Sequence, residues 1–134
     1  MRRLMLALFA LLAISSSFVI APRTADAYAR CNCTAWAHMK RPDLPLTLGN
    51  ARTWASRARA RGFPVDSRSR VGDVMVLQPG VQGANRRYGH VAYVIAVRGN
   101  LVTVTEMNGG YGCRVRRHTY HTGRGVNFIH HKRR

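Results

Sequence analysis

Carboxylates are scarce in this chain: five Asp and Glu stand against 22 Lys and Arg, a formal net charge of +17 over 134 residues. So few acids leave little from which to build a carboxylate-rich metal site. The histidines grouped toward the C-terminus, His118, His121, His130 and His131, have no carboxylate near them in sequence. They read as solvated strand ends beside a basic tail, Lys132-Arg133-Arg134, and not as zinc ligands, so neither metal nor cofactor is expected. Cysteine is almost as rare. Cys31, Cys33 and Cys113 exclude a framework in which every thiol is paired and leave one over. There is no internal repeat and no low-complexity tract, and the length gives room for one domain, whose 46% apolar composition is ordinary for a globular core.

What is present begins with an export signal. Met1-Arg2-Arg3 runs into the apolar stretch Leu4 to Ile14, and the small-x-small sites Ala25-Asp26-Ala27 and Ala27-Tyr28-Ala29 follow. Residues 1–27 are therefore expected to be a secretory signal peptide, cut after Ala27 or Ala29, with the catalytic domain in 28–134. An uncleaved anchor is the alternative, since Leu4 to Ala21 could barely span a bilayer. No cysteine stands where lipid attachment needs one, and Arg2-Arg3 lack the rest of a twin-arginine signal.

Cleavage after Ala27 takes Lys and Arg from 22 to 19, the acids from 5 to 4, and the net charge to +15. Such a surface is drawn to polyanions: nucleic acid, anionic lipid, or the acidic polymers of an envelope. The export signal favours the envelope, so secreted or periplasmic placement is expected and nucleic acid is not.

Asn32 can cap a helix that starts near Cys33 and ends before Pro42, which puts Cys33 at a helix N-terminus where the backbone dipole favours a thiolate. Asn50 is expected to cap a second helix over 51–61, with Ala51, Trp54, Ala55 and Ala58 on its inner face and Gly62 as its stop. From Val71 the period becomes that of strands: Val74–Leu77, Gly89–Val97, Leu101–Asn108, and weaker ones near Cys113–Arg117 and Val126–His130. Helices followed by an antiparallel sheet make an α+β domain.

Cysteine catalysis needs a thiolate, an imidazole, and a polar group to orient the imidazole. If Gly99 centres the hairpin turn, His90 lies opposite Asn108 and Ala92 opposite Glu106, all on one face, and packing the Cys33 helix on that face would complete a site.

These residues carry a resemblance. Cys33-Thr34-Ala35-Trp36-Ala37, Gly49-Asn50-Ala51 with Trp54, Val71-Gly72-Asp73-Val74, Tyr88-Gly89-His90-Val91-Ala92-Tyr93-Val94 and Thr105-Glu106-Met107-Asn108 occur in the order found in the CHAP family, the cysteine, histidine-dependent amidohydrolases and peptidases. The resemblance implies a papain-like fold and hydrolysis of peptidoglycan amide bonds. Carried over residue by residue, Cys33 is the nucleophile, His90 the base and then the acid, and Glu106 and Asn108 its orienters, with the Cys33 backbone N–H in the oxyanion hole. The family commonly has glutamine where this chain has Asn32. Many members carry a separate wall-binding module for which 134 residues leave no room, a task the basic charge is expected to assume.

The helix-start position and the family motif together favour Cys33 as the free thiol and Cys31–Cys113 as the disulfide. Cys33–Cys113 with Cys31 free, or Cys31 as a second redox-active thiol, stay open. Trp36 and Trp54 are core anchors or groove aromatics that pack on a sugar ring. The Asn32-Cys33-Thr34 match to a glycosylation acceptor is coincidental. The chain thus reads as a monomeric, secreted peptidoglycan amidase or endopeptidase working through a thioester. The alternative is a cationic envelope- or nucleic-acid-binding protein with structural cysteines.

Overall fold

The computed structural model describes residues 31–107 and 113–133. The expected signal segment, its cleavage sites and Asn108 lie outside the described residues. Among the described residues six strands form one antiparallel sheet: β1 (Val65–Asp66), β2 (Val74–Leu77), β3 (His90–Arg98), β4 (Leu101–Met107), β5 (Val115–His121) and β6 (Val126–Ile129), in the order β1-β6-β2-β3-β4-β5. Helix is the minor component, with α1 (Cys33–Lys40), α2 (Trp54–Ala60) and three single 3₁₀ turns among the described residues. The α+β expectation thus holds in a coarser form, as an antiparallel sheet with few, short helices.

Asn32 sits in extended backbone and its side chain accepts the N–H of Ala35, so α1 opens as a capped helix with Cys33 as its first residue. The second helix departs from expectation. Asn50 makes no side-chain cap there; Ala51–Thr53 is a 3₁₀ turn, and the α-helix proper begins at Trp54. The Thr53 hydroxyl donates to the carbonyls of Asn50 and Leu48, and the Thr53 N–H bonds Asn50 as well, which tightens this turn to an i→i+3 pattern. The inner stripe is as spaced: Ala51, Trp54, Ala55 and Ala58 are all buried.

Directly paired residues share a sheet face. Val76 with Val91, and Val74 with Tyr93 and Ile129, lie on one face; Met75 with Ala92, and Leu77 with His90, lie on the other. Both faces are covered. The first holds a cluster with Ala37, Leu44, Leu48, Trp54 and Ala58 from the helical segment, and the second curls around Val94, Val102, Val104, Tyr120 and Phe128. A sheet buried on both faces explains the unbroken apolar run Val74-Met75-Val76-Leu77, every residue of which is buried.

The hairpin turn is one residue shorter than expected. Arg98 pairs with Leu101, so Gly99 and Asn100 alone make the turn, with Gly99 at φ 58° as a II′-type turn requires. That frame would set His90 and Glu106 on opposite faces. A β-bulge at Ile95 restores it, because Val94 pairs with Val104 and Tyr93 with Thr105 beyond the extra residue.

Arg41 locks α1 to the rest. Its side chain is 1% exposed, and all five guanidinium N–H groups are used: on both oxygens of Asp43 (2.7 and 2.8 Å) and on the carbonyls of Gly72, Ile129 and His130. Arg41→Ala is expected to cost about 3–5 kcal/mol in urea unfolding, because three carbonyls and a carboxylate lose their donors together. Arg41→Lys should recover only part of this, since an ammonium cannot reproduce the fork.

Candidate active site

Cys33 and His90 each open their element, one at the N-terminus of α1 and the other at the start of β3. The site was expected to form by packing α1 on the face that carries His90 and Glu106; the helix in fact lies on the opposite face. Trp36 Nε1 donates to Thr105 Oγ1 (3.1 Å), Lys40 Nζ is 5.9 Å from the Tyr93 ring centre, and Ala37 packs in the Val91 cluster. The thiol reaches the imidazole past the end of β3, where the sheet no longer separates them.

His90 is 6% exposed and its Nε2 lies 2.7 Å from Glu106 Oε2, itself on a residue 5% exposed. With Nε2 so engaged, Nδ1 is the ring atom left for the thiol. Burial would lower the pKa of His90, but hydrogen bonds to Cys33 and Glu106 and their negative charge outweigh it and raise the ring from 6.5 to about 9. Burial would likewise raise the Cys33 thiol. The hydrogen bond and charge of His90, with the backbone N–H groups of Val91 and Thr34, instead bring it below its ordinary value. The two shifts point the same way, toward a thiolate beside an imidazolium. Glu106 is pulled down too: burial opposes ionisation, while donors from His90 and Tyr120 favour it.

The pair faces a cleft of about 570 Å³ walled by Asn32, Thr34, Asn50, Asn85, Tyr88 and Tyr120 together with small residues. Gly89 holds its edge at φ 72°; a Cβ there would stand 2.6 Å from the Leu77 carbonyl and 3.1 Å from the Arg52 nitrogen, so the residue before His90 has to be glycine. Cys31 and Cys113 form a disulfide across 82 residues with Cα atoms 4.5 Å apart, and Cys33 is the free cysteine.

The family model described as the CHAP domain matches residues 23–108. The chain belongs to the CHAP domain family. Among curated relatives, the staphylococcal secretory antigen ssaA2 of Staphylococcus aureus (strain NCTC 8325 / PS 47) is 43% identical over 88 residues, 63% of this chain and 31% of that protein. The staphylococcal secretory antigen SsaA of the same strain is 40% identical over 88 residues, 63% of this chain and 32% of its own. This CHAP chain thus spans about a third of the length of the curated relatives it matches. Among solved structures, an N-acetylmuramoyl-L-alanine amidase from Staphylococcus aureus superposes with a TM-score of 0.65 at 25% identity, over 74% of this chain and 30% of that one. Ly7917, solved with the hydrolysing product of MDP, shares the fold with a TM-score of 0.52 at 24% identity, over 73% of this chain and 53% of its own.

Neither tryptophan of the CHAP domain lines the cleft, which corrects the expectation of a groove aromatic at Trp36 or Trp54. Trp54 is 4% exposed with Nε1 on the Gly49 carbonyl (2.9 Å), and Trp36 lies on the sheet face beneath α1 with Lys40 over its ring. Tyr88 and Tyr120 are the aromatics of the cleft. Tyr120 was missed because β5 was expected to stop at Arg117; it runs on to His121. His130 also departs from its expected place at a solvated strand end. It is 3% exposed, with Nδ1 2.8 Å from Asp73 and Nε2 2.8 Å from Asp66, at the end of β2 remote from His90. Among the described residues no group of three or more His, Cys, Asp or Glu side chains could hold a metal.

Proposed function

We propose that this CHAP domain is a secreted hydrolase of peptidoglycan amide bonds, acting through a Cys33 thioester. The observation that carries the reading is the relay from half-buried Cys33 to buried His90 and Glu106, opening onto the cleft. In this mechanism the Cys33 thiolate attacks the scissile carbonyl carbon, and the oxyanion so formed takes the backbone N–H of Cys33, which has no intrahelical partner at the first position of α1. The His90 imidazolium gives its proton to the leaving amine as the C–N bond breaks, leaving a thioester. Water then attacks, His90 takes its proton, and collapse releases the acid and the thiolate. Glu106 keeps the ring oriented and charged; Asn108 is a second orienter in this proposal. The similarity to an N-acetylmuramoyl-L-alanine amidase and to secretory antigens supports the substrate class and the export expected from residues 1–27.

The charge distribution supports an anionic envelope as partner. Asp43 is engaged by Arg41, Asp66 and Asp73 by His130, and Glu106 by His90 and Tyr120. Every acid among the described residues is thus engaged internally, and the positive charge stands in large excess over them.

The test is digestion of purified peptidoglycan by residues 28–134, with mass spectrometry of what is released. New termini at the lactyl–alanine bond would name an amidase, and termini within the stem or cross-bridge an endopeptidase. Tight wall binding with no fragments would instead favour a cationic binder with structural cysteines.

A further inference from the structure

We propose that Tyr120 is a positioning residue of this site, its hydroxyl holding Glu106 ionised and oriented so that the carboxylate can keep His90 in place against Cys33. The Tyr120 hydroxyl lies 2.8 Å from Glu106 Oε2, the oxygen that His90 Nε2 also meets at 2.7 Å. A carboxylate only accepts, so the phenol donates. Two donors converge on one oxygen of a residue 5% exposed.

The strand register shows how far the residue reaches to do this. Tyr120 pairs with Val102, four residues along β4 from Glu106, whose own partner on β5 is Arg116. The phenol therefore extends along the sheet beneath its strand neighbour His118, whose ring is 4.3 Å away, and comes within 6.3 Å of the His90 ring. Packing fixes it there, since Tyr120 is 7% exposed and belongs to the cluster with Val102 and Val104. A tyrosine needed only to fill that cluster could be phenylalanine; the hydroxyl is spent on Glu106.

The groups that face Glu106 are His90 from β3, Tyr120, His118 and Arg116 from β5, and, through His90, Cys33 from α1. With the phenol donor removed, burial pushes the carboxyl up against one donor fewer, and Glu106 protonates at higher pH. A neutral carboxyl is a weaker acceptor for Nε2–H, so the ring is no longer held against Cys33 and the thiol loses the aligned hydrogen bond that lowers it. Loss of the hydroxyl should therefore move the acid side of thiolate formation toward neutrality.

The kinetic part of this inference rests on the hydrolase reading; the thiol chemistry does not. The experiment is the rate of Cys33 alkylation by iodoacetamide against pH in residues 28–134, for wild type, Tyr120→Phe, Glu106→Gln and the double variant, with circular dichroism to confirm folding. Tyr120→Phe should move the acid-side midpoint up by about one pH unit and lower kcat on peptidoglycan about tenfold with KM within about twofold. It should add nothing in the Glu106→Gln background. Should Tyr120→Phe unfold, site-specific difluorotyrosine at position 120, a stronger donor of nearly the same shape, should move the midpoint down. A wild-type alkylation profile in the folded variant, a shift that persists without Glu106, or a loss confined to KM would overturn the proposal. If wild type alkylates as described but releases no fragments, the hydrolase reading fails and the role of Tyr120 is still decided.

Discussion

Fragment release from peptidoglycan is expected to fall by about four to six orders of magnitude on Cys33→Ala, with wall binding unchanged. The size of the effect follows from what is removed. Among the described residues the nucleophile has no substitute nearby: Cys31 and Cys113 are tied in the disulfide, and of the cleft hydroxyls Thr34 donates to Asn32 while Tyr120 is spent on Glu106. What survives is binding and the oxyanion donor, which together leave only residual catalysis. The fold should be untouched, because Cys33 is packed at the margin of its cluster and its backbone role in α1 suits alanine. A Cys33→Ala protein that still released fragments at more than a hundredth of the wild-type rate would sink the thioester mechanism.

The second large effect concerns pH. His90 carries its proton up to about 9, so the thiolate–imidazolium pair persists through neutrality and is lost as pH rises through that value. The acid limb belongs to the thiol, which reprotonates as pH falls through a pKa below its ordinary 9.0. A bell-shaped dependence of kcat/KM follows. Glu106→Gln keeps the shape and an acceptor for His90 but removes the charge that helps raise the ring. The alkaline limb should then move down from about 9 toward the ordinary histidine value, with kcat/KM lowered about 10²–10³-fold. An alkaline limb that stays near 9 would show that Glu106 does not set the protonation of His90.

The nucleophile end of the site was legible in the sequence because its signals are local. Asn32 caps three residues ahead, Pro42 stops the helix, and the placement of Cys33 follows from both. The sharing of a face by His90 and Glu106 was also legible, although through an assumption that fails in detail. The turn is Gly99-Asn100 and not centred on Gly99, and the bulge at Ile95 cancels the difference. No local residue pattern announces a bulge inside an unbroken apolar strand. Tyr120 escaped because Arg114, Arg116 and Arg117 hide the alternation of β5, and because its partner is chosen by reach along the sheet. The Asp66–His130–Asp73 cluster joins residues 57 to 64 positions apart, a separation that no spacing rule covers. The face on which α1 packs could not be read for a similar reason. An eight-residue helix made largely of alanine and polar residues has a weak apolar stripe, and it is the sheet that selects the side.

The extra residue at Ile95 acts as a reading-frame correction within a single hairpin. The tip sets one phase of inside and outside, the bulge inverts it, and His90 and Glu106 inherit the inverted phase. The far end of the hairpin is thereby insulated from the reacting end. Changes at Gly99-Asn100 that keep the bulge can vary the exposed tip while the relay stays intact. A variant held in the unbulged register, with Ile95 paired opposite Val104, should do the reverse: the strands still pair and the core can still form, but Glu106 then stands opposite Tyr93, across the sheet from the imidazole it serves. Such a protein would be folded by circular dichroism and slow to alkylate at neutral pH, its chemistry lost through parity alone.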